Sequence, residues 1–137
     1  LDLEETADKL RDLAADGRPV FVEGTGGVLA RISNWALPQL AEELGARVTI
    51  VTATAPGTLN HVELTVEACR ARGLEITGII GGSISAQPDA VAECVVEQVP
   101  IITGLPVLAW LPEGAADLDR EEFLGRAAGW FSGTTLE

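Results

Sequence analysis

The chain has 137 residues, 47% of them hydrophobic, and a formal charge of −12 from nine basic and twenty-one acidic side chains. That length suits one ordinary domain with its own core, and so acidic a surface argues against nucleic acid or an anionic membrane surface as a partner. No stretch reaches the ~20 uninterrupted apolar residues of a spanning helix, and no basic segment leads into an apolar one as in a signal peptide, so a cytoplasmic globular protein is expected.

Leu3, Ala7, Leu10 and Leu13 recur at helical spacing and predict a helix over 3–16, with Gly17 at its C-terminal cap. Pro19-Val20-Phe21-Val22 is a short continuous apolar run, the pattern of a strand buried on both faces. It ends in Glu23 and the turn Gly24-Thr25-Gly26-Gly27. A short helix is expected around 36–44, broken by Gly45, and then a second buried strand at Val48-Thr49-Ile50-Val51.

The turn Ala55-Pro56-Gly57 leads into a longer helix over about 58–72, with Leu59, Val62, Val66 and Cys69 on one face and Gly73 at its end. Leu74 to Ile80 predicts a third strand, followed by a Gly81-Gly82-Ser83 loop. Pro88 suits the opening of a helix that runs to about Gln98. Val107-Leu108-Ala109-Trp110 is the last strand, and a helix over roughly 119–131 follows.

Strands separated by helices imply βαβ units, a parallel sheet and helices on both of its faces. Right-handed crossovers place the carboxyl ends of such strands on one edge, where ligands of open α/β sheets sit. Cys69 and Cys94 each stand alone in helical patterns and read as buried free thiols. The absence of methionine leads us to expect a fragment or a processed product.

Three segments after strands could carry chemistry. Glu23 ends one strand and could hold Mg²⁺ directly or through water. The glycines after it let backbone N–H groups approach an anion, although a tight turn with a solvated Glu23 fits the same pattern. Gly57-Thr58-Leu59-Asn60 opens a helix whose N–H groups and dipole suit a carboxylate or phosphate. Alternatively Asn60 is an N-cap, with Glu63 completing a capping-box-like pair. Gly82 and Ser83 could lie along a nucleotide base or simply connect two elements. The motif GxxxxGK[ST] is absent, and Lys9 is the single lysine. His61 is the single histidine; it has no partner acid or nucleophile in view and is assigned no catalysis.

Together these pieces resemble dethiobiotin synthetase. The matching stretches are Val22-Glu23-Gly24-Thr25-Gly26-Gly27, Gly57-Thr58-Leu59-Asn60-His61 with Leu64-Thr65, Gly73-Leu74, Gly78-Ile79-Ile80 and Trp110-Leu111-Pro112, spanning about residues 19–131. The resemblance implies that residues 1–137 are the C-terminal part of a single α/β domain of the P-loop NTPase type. It implies an ATP- and Mg²⁺-dependent carboxylation of 7,8-diaminopelargonate by CO₂, closing the ureido ring in biotin biosynthesis.

By that analogy Glu23 is a Mg²⁺ ligand, and Gly24, Thr25 and Gly26 lie against the nucleotide phosphates. Gly57, Thr58, Leu59 and Asn60 hold the substrate carboxylate across a homodimer interface. Gly82 and Ser83 meet the base, and Ala109, Trp110 and Leu111 flank the adenine. Two departures stand out. Many family members carry an asparagine where this chain has Gly82, so base selectivity is expected to be looser. The family's phosphate loop, catalytic lysine and second Mg²⁺ carboxylate lie upstream of Leu1, so no catalytic residue is expected within this chain. A strand beside the one ending at Glu23 would also be missing, leaving an apolar edge that invites association. The alternatives are another P-loop synthetase of the cobyrinate type, or a non-catalytic nucleotide-binding or dimerisation module.

Overall fold

The computed structural model describes residues 1–24 and 26–131. They form two compact units, one of Leu1–Val48 with Glu67–Glu75, the other of Thr49–Val66 with the chain from Ile76.

In the first unit, α1 (Leu3–Ala14) begins at Asp2, whose carboxylate accepts the Glu5 N–H at 3.1 Å. It is followed by a short antiparallel hairpin of β1 (Arg31–Ile32) and β2 (Trp35–Ala36), and by α2 (Leu37–Leu44). The helical spacing of Leu3, Ala7 and Leu10 turns one face of α1 onto Trp35 and Leu40, which with Ala7 are the buried centre of this unit. Leu13 departs from that face and is exposed. Arg11 donates to Glu43 at 2.7 Å and to Asp8 at 2.8 Å, tying α1 to α2. Gly45, in the left-handed conformation, ends α2 as the sequence predicts.

The predicted strand at Pro19-Val20-Phe21-Val22 does not form. The segment is coil, Val20, Val22 and Phe21 are exposed, and Phe21 is 85% so. A continuous apolar run becomes a buried strand only when neighbours complete its hydrogen-bond ladder and cover its faces. No strand pairs with it among the described residues.

The second unit is built on a parallel sheet in the order β3-β4-β5, with β3 at Val48–Thr52, β4 at Ile76–Ile84 and β5 at Val107–Pro112. Helix α3 (Thr58–Arg70) connects β3 to β4, and α4 (Ala90–Thr103) connects β4 to β5. Helix α5 (Arg120–Ala127), capped by Asp119, runs into a 3-10 turn at Ala128–Trp130. Ile50, Val62, Val66, Ile79, Val95, Val99, Leu108 and Ala109 are buried.

Several expectations need correction here. β3 is half-buried rather than buried on both faces: Ile50 is inside while Thr49 and Val51 face out. Gly81-Gly82-Ser83 is not a loop, because β4 continues through it. Helix α4 starts after Asp89, whose carboxylate accepts the Ala92 N–H at 2.8 Å, so Pro88 precedes the cap. It also runs past Gln98 to Thr103 with Pro100 inside it. Asn60 is the third residue of α3 and therefore not its cap. Cys69 is buried as expected, and burial pushes its thiol pKa up against a smaller lowering by Arg72. Cys94 is exposed, against expectation. Among the described residues no helix is long and apolar enough to cross a membrane.

Candidate functional site

The ligand edge of the second unit is shaped by two neighbouring strands. β4 and β5 pair in parallel with Gly81 opposite Trp110, Gly82 opposite Leu111 and Ile84 opposite Pro112. This register brings Gly82 and Ser83 beside Ala109, Trp110 and Leu111. The glycines are there because β5 side chains lie on β4. A Cβ at Gly81 would overlap the Trp110 ring, and one at Gly82 would sit 3.0 Å from the Leu111 Cβ and 3.3 Å from its carbonyl oxygen. Ala109 is buried, and Trp110 and Leu111 are half-buried.

Past these strand ends lies a cleft of about 220 Å³ whose polar lining is Thr54, Ser83, Ser85, Gln87, Asp89 and Glu113. The Thr54 hydroxyl donates to the Ser83 carbonyl at 2.9 Å, and the Glu113 N–H donates to the Ile84 carbonyl at 2.8 Å. These bonds tie together the segments that follow β3, β4 and β5. The Gln87 N–H donates to the Ser85 hydroxyl at 3.3 Å. Two carboxylates and no lysine, arginine or histidine line the cleft, so it favours a ligand surface that donates hydrogen bonds. Of these residues the sequence singles out Ser83 alone. The others stand directly after strand ends, so the rule that ligands sit beyond the carboxyl ends of strands was the signal that could have found them.

At the start of α3, Gly57 has φ +88°, a conformation glycine adopts without strain. Its carbonyl accepts the His61 N–H at 3.1 Å, and the Thr58 N–H donates to the Ala55 carbonyl at 3.2 Å. Thr58 is buried, Leu59 half-buried and Asn60 exposed. Helix geometry gives the N–H groups of Leu59 and Asn60 no intrahelical acceptor, which keeps the anion-site reading open.

The remaining predicted residues belong to the first unit. Glu23 is exposed in coil, and it enters no ion pair among the described residues. A Cβ at Gly24 would overlap Leu37, the first residue of α2, so packing by itself favours glycine there. Gly26 has φ +90°. Thr25 lies outside the described residues. No group of three His, Cys, Asp or Glu side chains able to hold a metal occurs among the described residues, so Glu23 would hold a metal there without two further such side chains of this chain. Mg²⁺ accepts that arrangement, since it keeps waters and substrate phosphate oxygens alongside one or two carboxylates.

Comparison with known proteins decides the family. A family described as an AAA domain matches residues 1–121. The chain belongs to this family. It is also similar to curated proteins named ATP-dependent dethiobiotin synthetase BioD. That of Corynebacterium kroppenstedtii is 44% identical over 131 residues, covering 95% of this chain and 57% of the relative. The Corynebacterium diphtheriae protein is 40% identical over 124 residues, covering 90% of this chain and 56% of the relative. That of Streptomyces coelicolor is 38% identical over 131 residues, covering 94% and 55%. The chain thus spans little more than half the length of the curated relatives it matches.

Proposed function

We propose that this sequence is the C-terminal part of a dethiobiotin synthetase, which uses ATP to carboxylate 7,8-diaminopelargonate with CO₂ and close the ureido ring. The observation that carries the proposal is the 44% identity over 95% of the chain to a protein of that name. Phosphoryl transfer is achieved mostly by positioning and charge neutralisation, and the residues divide between those tasks. Glu23 would hold Mg²⁺, which when bound neutralises charge on the transferred phosphate. Gly24, Thr25 and Gly26 would leave room for phosphate oxygens beside the backbone. Gly57 to Asn60 would orient the substrate carboxylate on the N–H groups of α3, across the interface of a homodimer. Gly82, Ser83 and Ala109 to Leu111 would border the base. A cytoplasmic location goes with this reading.

The chain contains no GxxxxGK[ST] motif, and its single lysine, Lys9, pairs with Glu5 at 2.6 Å on the surface of α1. Taken by itself it is expected to bind nucleotide without turning over, and this favours a non-catalytic module as the second reading. The test compares dethiobiotin formation by the 137 residues alone and by the same residues completed with the part of the Corynebacterium kroppenstedtii protein that lies outside the match. Turnover by the completed protein, lost on Glu23→Gln by about a hundredfold or more, is the expected result. A completed protein that folds and binds Mg-ATP but ignores diaminopelargonate would overturn the synthetase reading in favour of the module.

A further inference from the structure

Phe21 carries an inference that stands apart from the nucleotide reading. Helix α1 ends at Ala14, and Gly17, at φ +80°, turns the chain after it. Asp16 holds the turn: its carboxylate accepts the Arg18 backbone N–H at 3.2 Å and the Arg18 Nε–H at 2.6 Å. Leu13, in the last turn of α1, thereby lines one cleft of about 220 Å³ with Arg18, Pro19 and Val20. An apolar cavity of ~150 Å³ already takes up benzene. The side chains around this cleft are apolar except for Arg18, whose guanidinium is attracted to the face of an aromatic ring. The occupant that fits is therefore an aromatic side chain. The chain itself offers one, since Phe21 adjoins the last residue of the cleft and keeps its ring in solvent instead of filling it.

We infer that Phe21 of one copy enters the Leu13–Val20 cleft of a second copy, whose own Phe21 enters the cleft of the first. Ring and cleft share one short segment, so a single two-fold axis makes both contacts at once and closes the assembly as a dimer. Charge points to the same surface. Copies of a chain with a formal charge of −12 repel each other. From Gly17 to Val22, however, Arg18 is the only charged residue, and it pairs with Asp16. Two rings and the walls around them bury far less than the ~800 Å² per partner of a standard interface, so the dimer is weak, with a dissociation constant on the order of 100 µM. The contact uses none of the residues at the start of α3 that the synthetase reading assigns to a homodimer interface.

The test is sedimentation velocity of the 137-residue chain over concentrations that bracket about 100 µM, joined to isotope-filtered NMR on a mixture of labelled and unlabelled chain. A monomer–dimer equilibrium without larger species is expected, with cross-peaks from the Phe21 ring of one chain to the Leu13 and Val20 methyls of the other. Phe21→Ala is expected to weaken dimerisation about thirtyfold, the loss that follows truncation of an aromatic anchor. Because Phe21 is exposed, this variant keeps the fold, which circular dichroism checks. Leu64→Glu, at an exposed residue of α3, is expected to leave dimerisation within about twofold. A monomer at every concentration overturns the inference. So do species that grow beyond the dimer, which mean an open head-to-tail contact. A dimer that Leu64→Glu abolishes and Phe21→Ala spares also overturns it, since the interface then lies on α3. A dimer sensitive to Phe21→Ala but without the Leu13 and Val20 cross-peaks overturns the assignment of the ring to the cleft.

Discussion

Gly78 and Gly81 of β4 differ in what a methyl group at their Cα would meet. At Gly78 it would lie 2.7 Å from the Pro106 carbonyl oxygen and 2.8 Å from Leu108 Cγ. That carbonyl is fixed, because it accepts the Ile79 N–H at 2.9 Å. At Gly81 the obstacle is the ring of Trp110, a half-buried side chain with solvent to move into. Gly78, at φ +154°, also adds backbone strain to any side chain, so Gly78→Ala is expected to cost about 3 kcal/mol and Gly81→Ala about 1 kcal/mol, the upper and lower ends of overpacking penalties. Urea denaturation of the two variants checks the order, and equal costs would mean that the Trp110 ring is as rigid as the backbone. The sequence shows these residues as glycines but cannot separate them. The difference comes from the backbone of Gly78 and from the segment around β5, which lies some thirty positions further along the chain.

At the scale of elements, the caps are the most local signal. Gly45 was read correctly as the end of α2, since a left-handed residue after a helical run needs no distant partner. The start of α4 is set not by Pro88 but by Asp89, whose carboxylate closes on the Ala92 N–H. Asp89→Ala is expected to lower stability by about 1 kcal/mol, while Asp89→Ser retains most of it, as judged by thermal unfolding. The extents of α4 and β4 were both underestimated. Thr103 Oγ1 donates to the Val99 carbonyl at 2.7 Å in the last turn of α4, and β4 keeps its ladder through Gly82 and Ile84. Proline and paired glycines are ordinarily signs of an ending, and here tertiary pairing overrode them.

For the whole molecule, the exposed run Val20-Phe21-Val22 sets the expected behaviour in solution. Apolar segments with unpaired backbone invite pairing between copies. We expect the isolated 137 residues to associate, giving a concentration-dependent mass in light scattering. Phe21→Asp, which adds charge to that segment, is expected to reduce the association by several-fold. A monodisperse monomer that unfolds cooperatively would contradict this.

The sequence by itself determined the alternation of helices and strands, the glycine stop of α2, the acidic surface and the family resemblance, because each depends on composition or on spacing within a few residues. Only the tertiary structure decided that Pro19 to Val22 stays outside any sheet, that Gly81 to Ser83 belongs to β4, and that Glu113 joins Thr54 and Ser85 around one cleft. Those outcomes depend on which distant segment supplies a ladder partner or a covering side chain. Local periodicity carries no information about that choice.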